Sequence, residues 1–155
     1  MARTFSTCFL AWGLFTVGLG PYAYSRERSA DLLATLQGSW LVQACRQDGR
    51  AFPPLHGARV QFHEQDMILI LPNELIKARV AAETVDDPAT LTFEYLLGSD
   101  RGHTRRAVCA FRGELIYLCL GPLDGPCPTD LTCRRGSRRL LLVLQREQSD
   151  QQQAR

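Results

Sequence analysis

The chain lacks the short motifs that mark common enzyme classes. It has no G-x-S-x-G nucleophile turn, no H-E-x-x-H zinc motif and no glycine-rich phosphate loop. No two cysteines have C-x-x-C spacing, and the histidines His56, His63 and His103 read as isolated surface residues rather than metal ligands. Glu83 and Glu94 lie on adjacent predicted strands, but exposed strand positions explain them better than acid–base catalysis. We therefore expect no enzymatic activity, no catalytic residues, no metal and no cofactor.

Lysine is nearly missing, and the excess of positive charge is small. Lys77 is the only lysine among 18 basic residues, and the formal net charge is +2. A charge this small does not by itself indicate nucleic-acid binding, and no aromatic stacking platform for single strands is present. The 155 residues, 45% of them hydrophobic, suit one globular domain without internal repeats.

Residues 1–25 have the pattern of a secretory signal peptide. Arg3 gives a positive start, and residues 8–20 form an uninterrupted apolar run. Ala23 and Ser25 supply small side chains at the two positions that a signal peptidase reads. The run is shorter than the ~20 residues of a comfortable membrane span. We expect cleavage near Ser25, export to the periplasm or the medium, and no remaining membrane span; an uncleaved anchor is the alternative.

The rest of the chain alternates apolar and polar residues between turn signals, which is typical of β-strands. Eight strands are predicted, at residues 40–47, 59–63, 67–71, 75–84, 90–97, 104–111, 114–120 and 138–146. Short connections favour antiparallel neighbours, and eight strands can close on themselves and remove exposed edges. The predicted fold is therefore all-β, an eight-stranded antiparallel up-and-down barrel.

The predicted boundaries place this barrel domain at residues 31–147. Residues 26–30 are a charged linker, and residues 148–155 are a disordered, glutamine-rich tail. Residues 31–37 form a short N-terminal helical turn that closes one end of the barrel. The L-Q-G-S-W segment that follows suits the barrel floor, because Gly38 allows a tight turn and Trp40 can bury roughly 200 Å².

The L-Q-G-S-W segment and the G-E-L-I-Y-L-C segment of residues 113–119 together resemble one lipocalin-like family. Its members are uncharacterised exported proteins, abundant in planctomycete bacteria, that open with L-x-G-x-W and carry G-D-x-L-x-x-C in a late hairpin. Glu114 departs from that pattern, where the family has aspartate. The G-x-W motif also resembles the opening of true lipocalins, in which a late arginine packs over the tryptophan. The resemblance thus implies that Arg146 closes the barrel with Gly38 and Trp40.

Lipocalin-like barrels in general bind small hydrophobic molecules, so the resemblance implies a binding module of the cell envelope. Trp40, Phe62, Phe93, Tyr95 and Tyr117 are the candidates to line a ligand cavity. The same rings could equally pack into a solid core. The alternative function is therefore a non-catalytic structural or protein-interaction domain with a filled barrel.

Arginines cluster in the second half of the chain. Arg101, Arg105, Arg106, Arg134 and Arg135 could form an anion-attracting rim at one end of the barrel, with an anionic envelope component as partner. The alternative is a solvated charged face. Both faces of the predicted strands at residues 104–120 are apolar, and the surplus face could mark an oligomer contact.

Export would permit disulfide bonds. A two-residue loop at residues 112–113 places Cys109 and Cys119 on opposite faces of the sheet, so these two should not bond. Cys127 and Cys133 close a short loop and are the predicted disulfide. The alternative is that all the cysteines are small buried apolar residues.

Overall fold

A computed structural model describes residues 21–84 and 86–148, with side chains from residue 28 onward. Most of the predicted signal peptide and most of the predicted tail lie outside these residues. The described part contains one helix, α1 (Pro21–Leu36), and a short 3₁₀ turn at Pro53–Leu55. Its strands are β1 (Gly38–Gln47), β2 (Arg50–Ala51), β3 (Arg59–His63), β4 (Asp66–Ile70), β5 (Leu75–Thr84), β6 (Ala89–Leu97), β7 (Thr104–Arg112), β8 (Leu115–Leu120) and β9 (Leu140–Arg146).

The strands form a closed barrel, as predicted. Strands β1 and β3 to β9 pair in chain order, and β9 pairs back with β1, every pair being antiparallel. Strand β2 is a two-residue addition that pairs only with the end of β1. Because the last strand hydrogen-bonds to the first, the eight long strands leave no free edge.

Helix α1 is longer than the predicted helical turn. It has 16 residues and includes residues 26–30, which the sequence pattern assigned to a linker. That stretch is rich in arginine, glutamate and alanine, which are good helix formers, and it contains neither glycine nor proline. Searched over the described residues, no helix is long and apolar enough to cross a membrane.

The hairpin between β7 and β8 differs from the predicted one by a single position. Its two-residue loop is residues 113–114, because Arg112 pairs with Leu115. Gly113 has a φ of 61°, which suits the first position of a tight hairpin loop. Moving the loop by one residue shifts the pairing by an even number of residues, which leaves the faces of the strands unchanged. Cys109 and Cys119 therefore lie on opposite faces, as predicted.

The barrel end beside α1 is closed by one tryptophan and one arginine. Trp40 is 3% exposed, and its Nε1 donates a hydrogen bond of 2.7 Å to the Leu36 carbonyl at the end of the helix. The Arg146 guanidinium lies over the Trp40 ring, 4.2 Å from its centroid. A cation above an indole face is attracted by the ring electrons as well as by dispersion.

Arg146 also binds the carbonyl end of α1. Its Nη1 donates to the Gln37 carbonyl at 2.8 Å, and its Nη2 donates to the Thr35 carbonyl at 3.0 Å. The last carbonyls of a helix lack partners within the helix and carry partial negative charge, so a guanidinium suits them. Gly38 makes the approach possible, because a Cβ atom there would lie only 2.9 Å from Arg146 Nη1, and its φ is +110°.

Replacing Arg146 with alanine should lower the free energy of unfolding by about 1–2 kcal/mol, because two hydrogen bonds and a cation–π contact of an exposed guanidinium are lost together. The matched control is Arg59→Ala, which removes an exposed 2.6 Å ion pair with Glu147 and should cost less than about 1 kcal/mol. Urea denaturation followed by circular dichroism measures both. Equal, small losses in the two variants would contradict the assigned role of Arg146.

Candidate functional site

The barrel end opposite α1 is hollow. A cavity of about 680 Å³ opens there beside the loops at residues 48–58, 71–74 and 98–103. Small-molecule sites in proteins have volumes of about 300–1,000 Å³, so this cavity is large enough for a ligand. Its inner wall is formed by apolar side chains from four strands: Val60, Met67, Leu69, Leu118, Leu120 and Leu142.

Three large aromatic side chains and the cavity occupy different parts of the barrel interior. The rings of Trp40, Phe62 and Phe93 are buried in the core but do not line the cavity. The cavity walls consist mainly of branched aliphatic side chains, which reach less far across a barrel. An eight-stranded barrel is just wide enough to be filled by side chains or to hold one small ligand. In this barrel, aromatic side chains fill part of the interior, and aliphatic side chains line the cavity in the rest.

Only one of the five predicted ligand-lining residues lines the cavity, and it is Tyr95. Trp40, Phe62 and Phe93 pack in the core instead. Tyr117 is half-buried on the outward face of β8, because it alternates with Ile116 and Leu118, which face the core. Alternation along each strand separates inward from outward residues, but it does not show how far along the barrel a side chain lies.

Arg105 is a charged residue in the cavity wall. It lies opposite Phe93 on the inward face of β7, with its side chain 17% exposed. One terminal nitrogen, Nη2, lies 3.3 Å from Asp100 Oδ2 in the adjoining loop. The buried Nε has no hydrogen-bond partner, and among the described residues it is the only buried side-chain nitrogen or oxygen in that condition. Because side chains alternate between the two faces of a strand, residues 105, 107 and 109 share one face, so a buried Cys109 would have predicted that Arg105 faces inward.

Tyr95 lies near Arg105 on the same wall. Burial raises the pKa of its hydroxyl to about 12; Asp100 also raises it, whereas Arg105 lowers it. The phenol is therefore neutral at physiological pH and keeps a proton that it can donate. Near the mouth, Glu74 accepts a 2.6 Å hydrogen bond from the Ser99 backbone amide, so its carboxylate helps to hold the loop at residues 98–103.

The five arginines of the predicted rim do not lie on one surface. Arg105 faces into the barrel, whereas Arg106 faces outward and forms a 2.5 Å ion pair with Glu83. Arg101 is exposed in the loop at residues 98–103. Arg134 and Arg135 are exposed in the long loop at residues 121–139, and their backbone lies against Gly49.

The predicted disulfide between Cys127 and Cys133 is absent, and both residues are free thiols. Cys127 Sγ lies 3.9 Å from the Ala107 carbonyl on β7, whereas Cys133 Sγ lies 3.5 Å from the Arg46 carbonyl on β1. Strands β8 and β9 separate β7 from β1, and three strand spacings amount to roughly 14 Å along the sheet. The two sulfurs are therefore held apart by different strands.

The loop at residues 121–139 covers the surplus apolar face of the β7–β8 hairpin. Cys119, fully buried on that face, lies 3.6 Å from the Thr132 carbonyl in the loop. Asp130 holds the loop in shape, because it accepts a 2.9 Å hydrogen bond from the Thr132 amide and a 2.8 Å bond from Arg139 Nη1. The bonds from these two residues lower the pKa of Asp130 to about 2. Around Cys119, this apolar face is covered by the chain itself.

His103, Glu83 and Glu94, which the sequence analysis considered as metal or acid–base residues, form surface pairs with other charged residues. His103 Nδ1 is 2.5 Å from Asp124 Oδ2, which ties the loop at residues 121–139 to the start of β7. Glu94 lies 3.9 Å from Arg79, and Glu83 bonds to Thr92 as well as to its arginine. Over the described residues, no group of three or more potential metal ligands occurs.

In comparisons with known proteins, no family model, no curated protein and no solved structure matches the chain. The cavity and its polar residues therefore carry the functional argument.

Buried thiols should make the fold sensitive to alkali. Burial raises the pKa of Cys109 from 9.0 to about 12, and burial raises those of Cys45 and Cys119 to about 11. Since folding favours the neutral thiols, their contribution is complete below about pH 9 and is lost as the pH rises towards 12. For Cys109 alone, the loss of unfolding free energy by pH 10 is about 1.4 kcal/mol.

Urea denaturation of the unmodified protein and of Cys109→Ala, at pH 7.5 and pH 10 under reducing conditions, tests this expectation. The stability difference between the two proteins should narrow by about 1.4 kcal/mol at the higher pH, because the variant has no thiol to ionise at residue 109. A difference independent of pH would show that the native structure does not hold Cys109 neutral.

Proposed function

We propose that this protein binds a small hydrophobic molecule in the cavity at the open end of its barrel. The observation that supports the proposal most strongly is the cavity itself, about 680 Å³ with walls of aliphatic side chains. Burying apolar ligand surface there contributes roughly 25 cal/mol for each Å² removed from water. The packed opposite end supplies a rigid floor, so the site is formed before the ligand arrives and little ordering is required on binding.

Binding without catalysis is the chemistry that we assign to this cavity. Its charged residues are Glu74, Asp100 and Arg105. Glu74 is hydrogen-bonded to a backbone amide, and Asp100 is paired with Arg105. These contacts leave no pair of acid and base aimed at one reacting atom, whereas an apolar cavity with a few polar groups suits ligand binding.

We further propose that the protein is exported and is a relative of the planctomycete lipocalin-like proteins. The apolar run at residues 8–20 supports export, since it has the length and flanking residues of a signal peptide. The L-Q-G-S-W and G-E-L-I-Y-L-C segments support the relationship, and the eight-stranded barrel agrees with it. Together these features favour a carrier or receptor in the cell envelope.

A second candidate function is an interaction module, favoured by an apolar patch on the outer surface. Ile70, Leu75 and Leu97 are 38%, 45% and 46% exposed, and Ile70 pairs with Leu75 across β4 and β5. Exposed large aliphatic groups gathered at one end of a barrel suit contact with another apolar surface.

Replacing Leu75 and Leu97 together with serine should abolish such contact and leave ligand binding intact.

Filling the cavity should abolish binding of an uncharged apolar probe such as Nile red. Leu142 is buried in the cavity wall, and in Leu142→Trp the larger ring should weaken Nile red binding at least tenfold. The neighbouring Leu141 faces outward on the same strand, so Leu141→Trp is the matched control and should leave the affinity within about twofold. Fluorescence titration gives both affinities, and circular dichroism verifies that each variant is folded.

Either of two results would contradict the proposed function. The unmodified protein, freed of lipid, could fail to bind Nile red. Alternatively, folded Leu142→Trp could bind the dye as well as Leu141→Trp does, which would place the dye on the outer surface instead of in the cavity.

A further inference from the structure

The cavity wall contains an arginine whose hydrogen-bonding capacity the protein does not fully use. Arg105 Nε is buried and has no hydrogen-bond acceptor within the described structure. A guanidinium is charged at any physiological pH, and a buried donor without an acceptor is destabilising, the more so when it is charged. Ala107 and Cys109, the next inward residues on β7, are small and apolar, so Arg105 is the charged residue on the inward face of this strand.

Neither carboxylate in the cavity wall accepts a hydrogen bond from Arg105 Nε. Asp100 takes one of the five guanidinium donors through Nη2, at 3.3 Å, and leaves Nε free. Glu74, the other cavity carboxylate, is already bonded to the Ser99 amide. Nε itself is buried, so a ligand in the cavity would reach Arg105 through its terminal nitrogens, which keep donors that Asp100 does not use.

Arg105 lies near the mouth, and the apolar walls extend inward from it. It is the second residue of β7, which starts at the open end, and Asp100 reaches it from the loop at residues 98–103. Leu118 and Leu142 line the interior. The Tyr95 hydroxyl adds a neutral donor on the same wall. A molecule with one acceptor group at the mouth and a hydrocarbon body inside would match this arrangement.

We infer that the ligand is an amphipathic monocarboxylate, whose carboxylate accepts hydrogen bonds from the Arg105 guanidinium at the mouth while its hydrocarbon chain fills the aliphatic cavity. The inference rests on the proposed binding function and adds the class of ligand. Hydrogen bonds between a guanidinium and a carboxylate are charge-assisted, and a planar guanidinium matches carboxylate geometry better than an ammonium does. The ion pair with Asp100 stays in place and holds the guanidinium towards the cavity.

Decanoate and 1-decanol form a matched pair of probes, because they share a hydrocarbon chain and differ in the charged group. Displacement of Nile red from the full, lipid-free chain at pH 7.5 measures their affinities. Decanoate should bind more tightly than 1-decanol. Arg105→Gln should weaken decanoate about tenfold to a hundredfold and leave 1-decanol and Nile red within about twofold. Arg106→Gln, which changes the adjacent outward arginine, should alter none of the three.

Four results would overturn the inference, and they differ in whether they also reject the proposed function. Decanoate binding no tighter than 1-decanol, or unaffected in folded Arg105→Gln, rejects the carboxylate while binding of the neutral probes preserves the proposed function. Failure of Nile red and 1-decanol to bind rejects both. If Arg105→Gln does not fold, Arg105→Lys replaces it, since the positive charge is kept and the planar donor is lost. Decanoate affinity should then fall severalfold, and an unchanged affinity rejects the inference.

Discussion

The contact between Trp40, Arg146 and the carbonyl end of α1 closes one end of the barrel. One guanidinium lies 4.2 Å from the indole centroid and donates to two carbonyls at the end of the helix. This contact joins the last strand, the first strand and the helix, which are the three elements that meet where the barrel closes. Because Gly38 has no Cβ atom, the arginine can approach this closely. Trp40 and Arg146 thus close the barrel end beside α1, and the apolar cavity lies at the opposite end.

The open end depends on loops that polar contacts hold in place. Glu74 fixes the loop at residues 98–103 through the Ser99 amide, and Asp124 joins the loop at residues 121–139 to the start of β7. Near the mouth, Arg105 presents a guanidinium whose Nε is unpartnered. A packed interior would exclude such a group, because a buried charge without full pairing is unfavourable. Its presence beside an aliphatic cavity is the basis of the proposal that the ligand carries an acceptor group.

The sequence predicted the fold well and the site only in part. Alternation and turn residues located the eight strands, because each strand has one face in the core and one in solvent. They did not show which aromatic rings line the cavity, since Phe93 and Tyr95 lie two residues apart on one inward face and only Tyr95 reaches the hollow half. The alternation of apolar and polar residues also could not predict the path of the loops. Cys127 and Cys133 are close in sequence, but the loop carries their sulfurs to different strands.

Methyl NMR under xenon pressure tests the central claim most directly, because xenon enters empty apolar cavities and perturbs the methyl groups that line them. The structure predicts shifts for Leu69, Leu118 and Leu142 at the open end. It predicts no shifts for Leu36 and Ile116, which are buried at the α1 end and do not line the cavity. Equal responses at both ends, or none at either, would contradict a barrel that is solid beside α1 and hollow at its mouth.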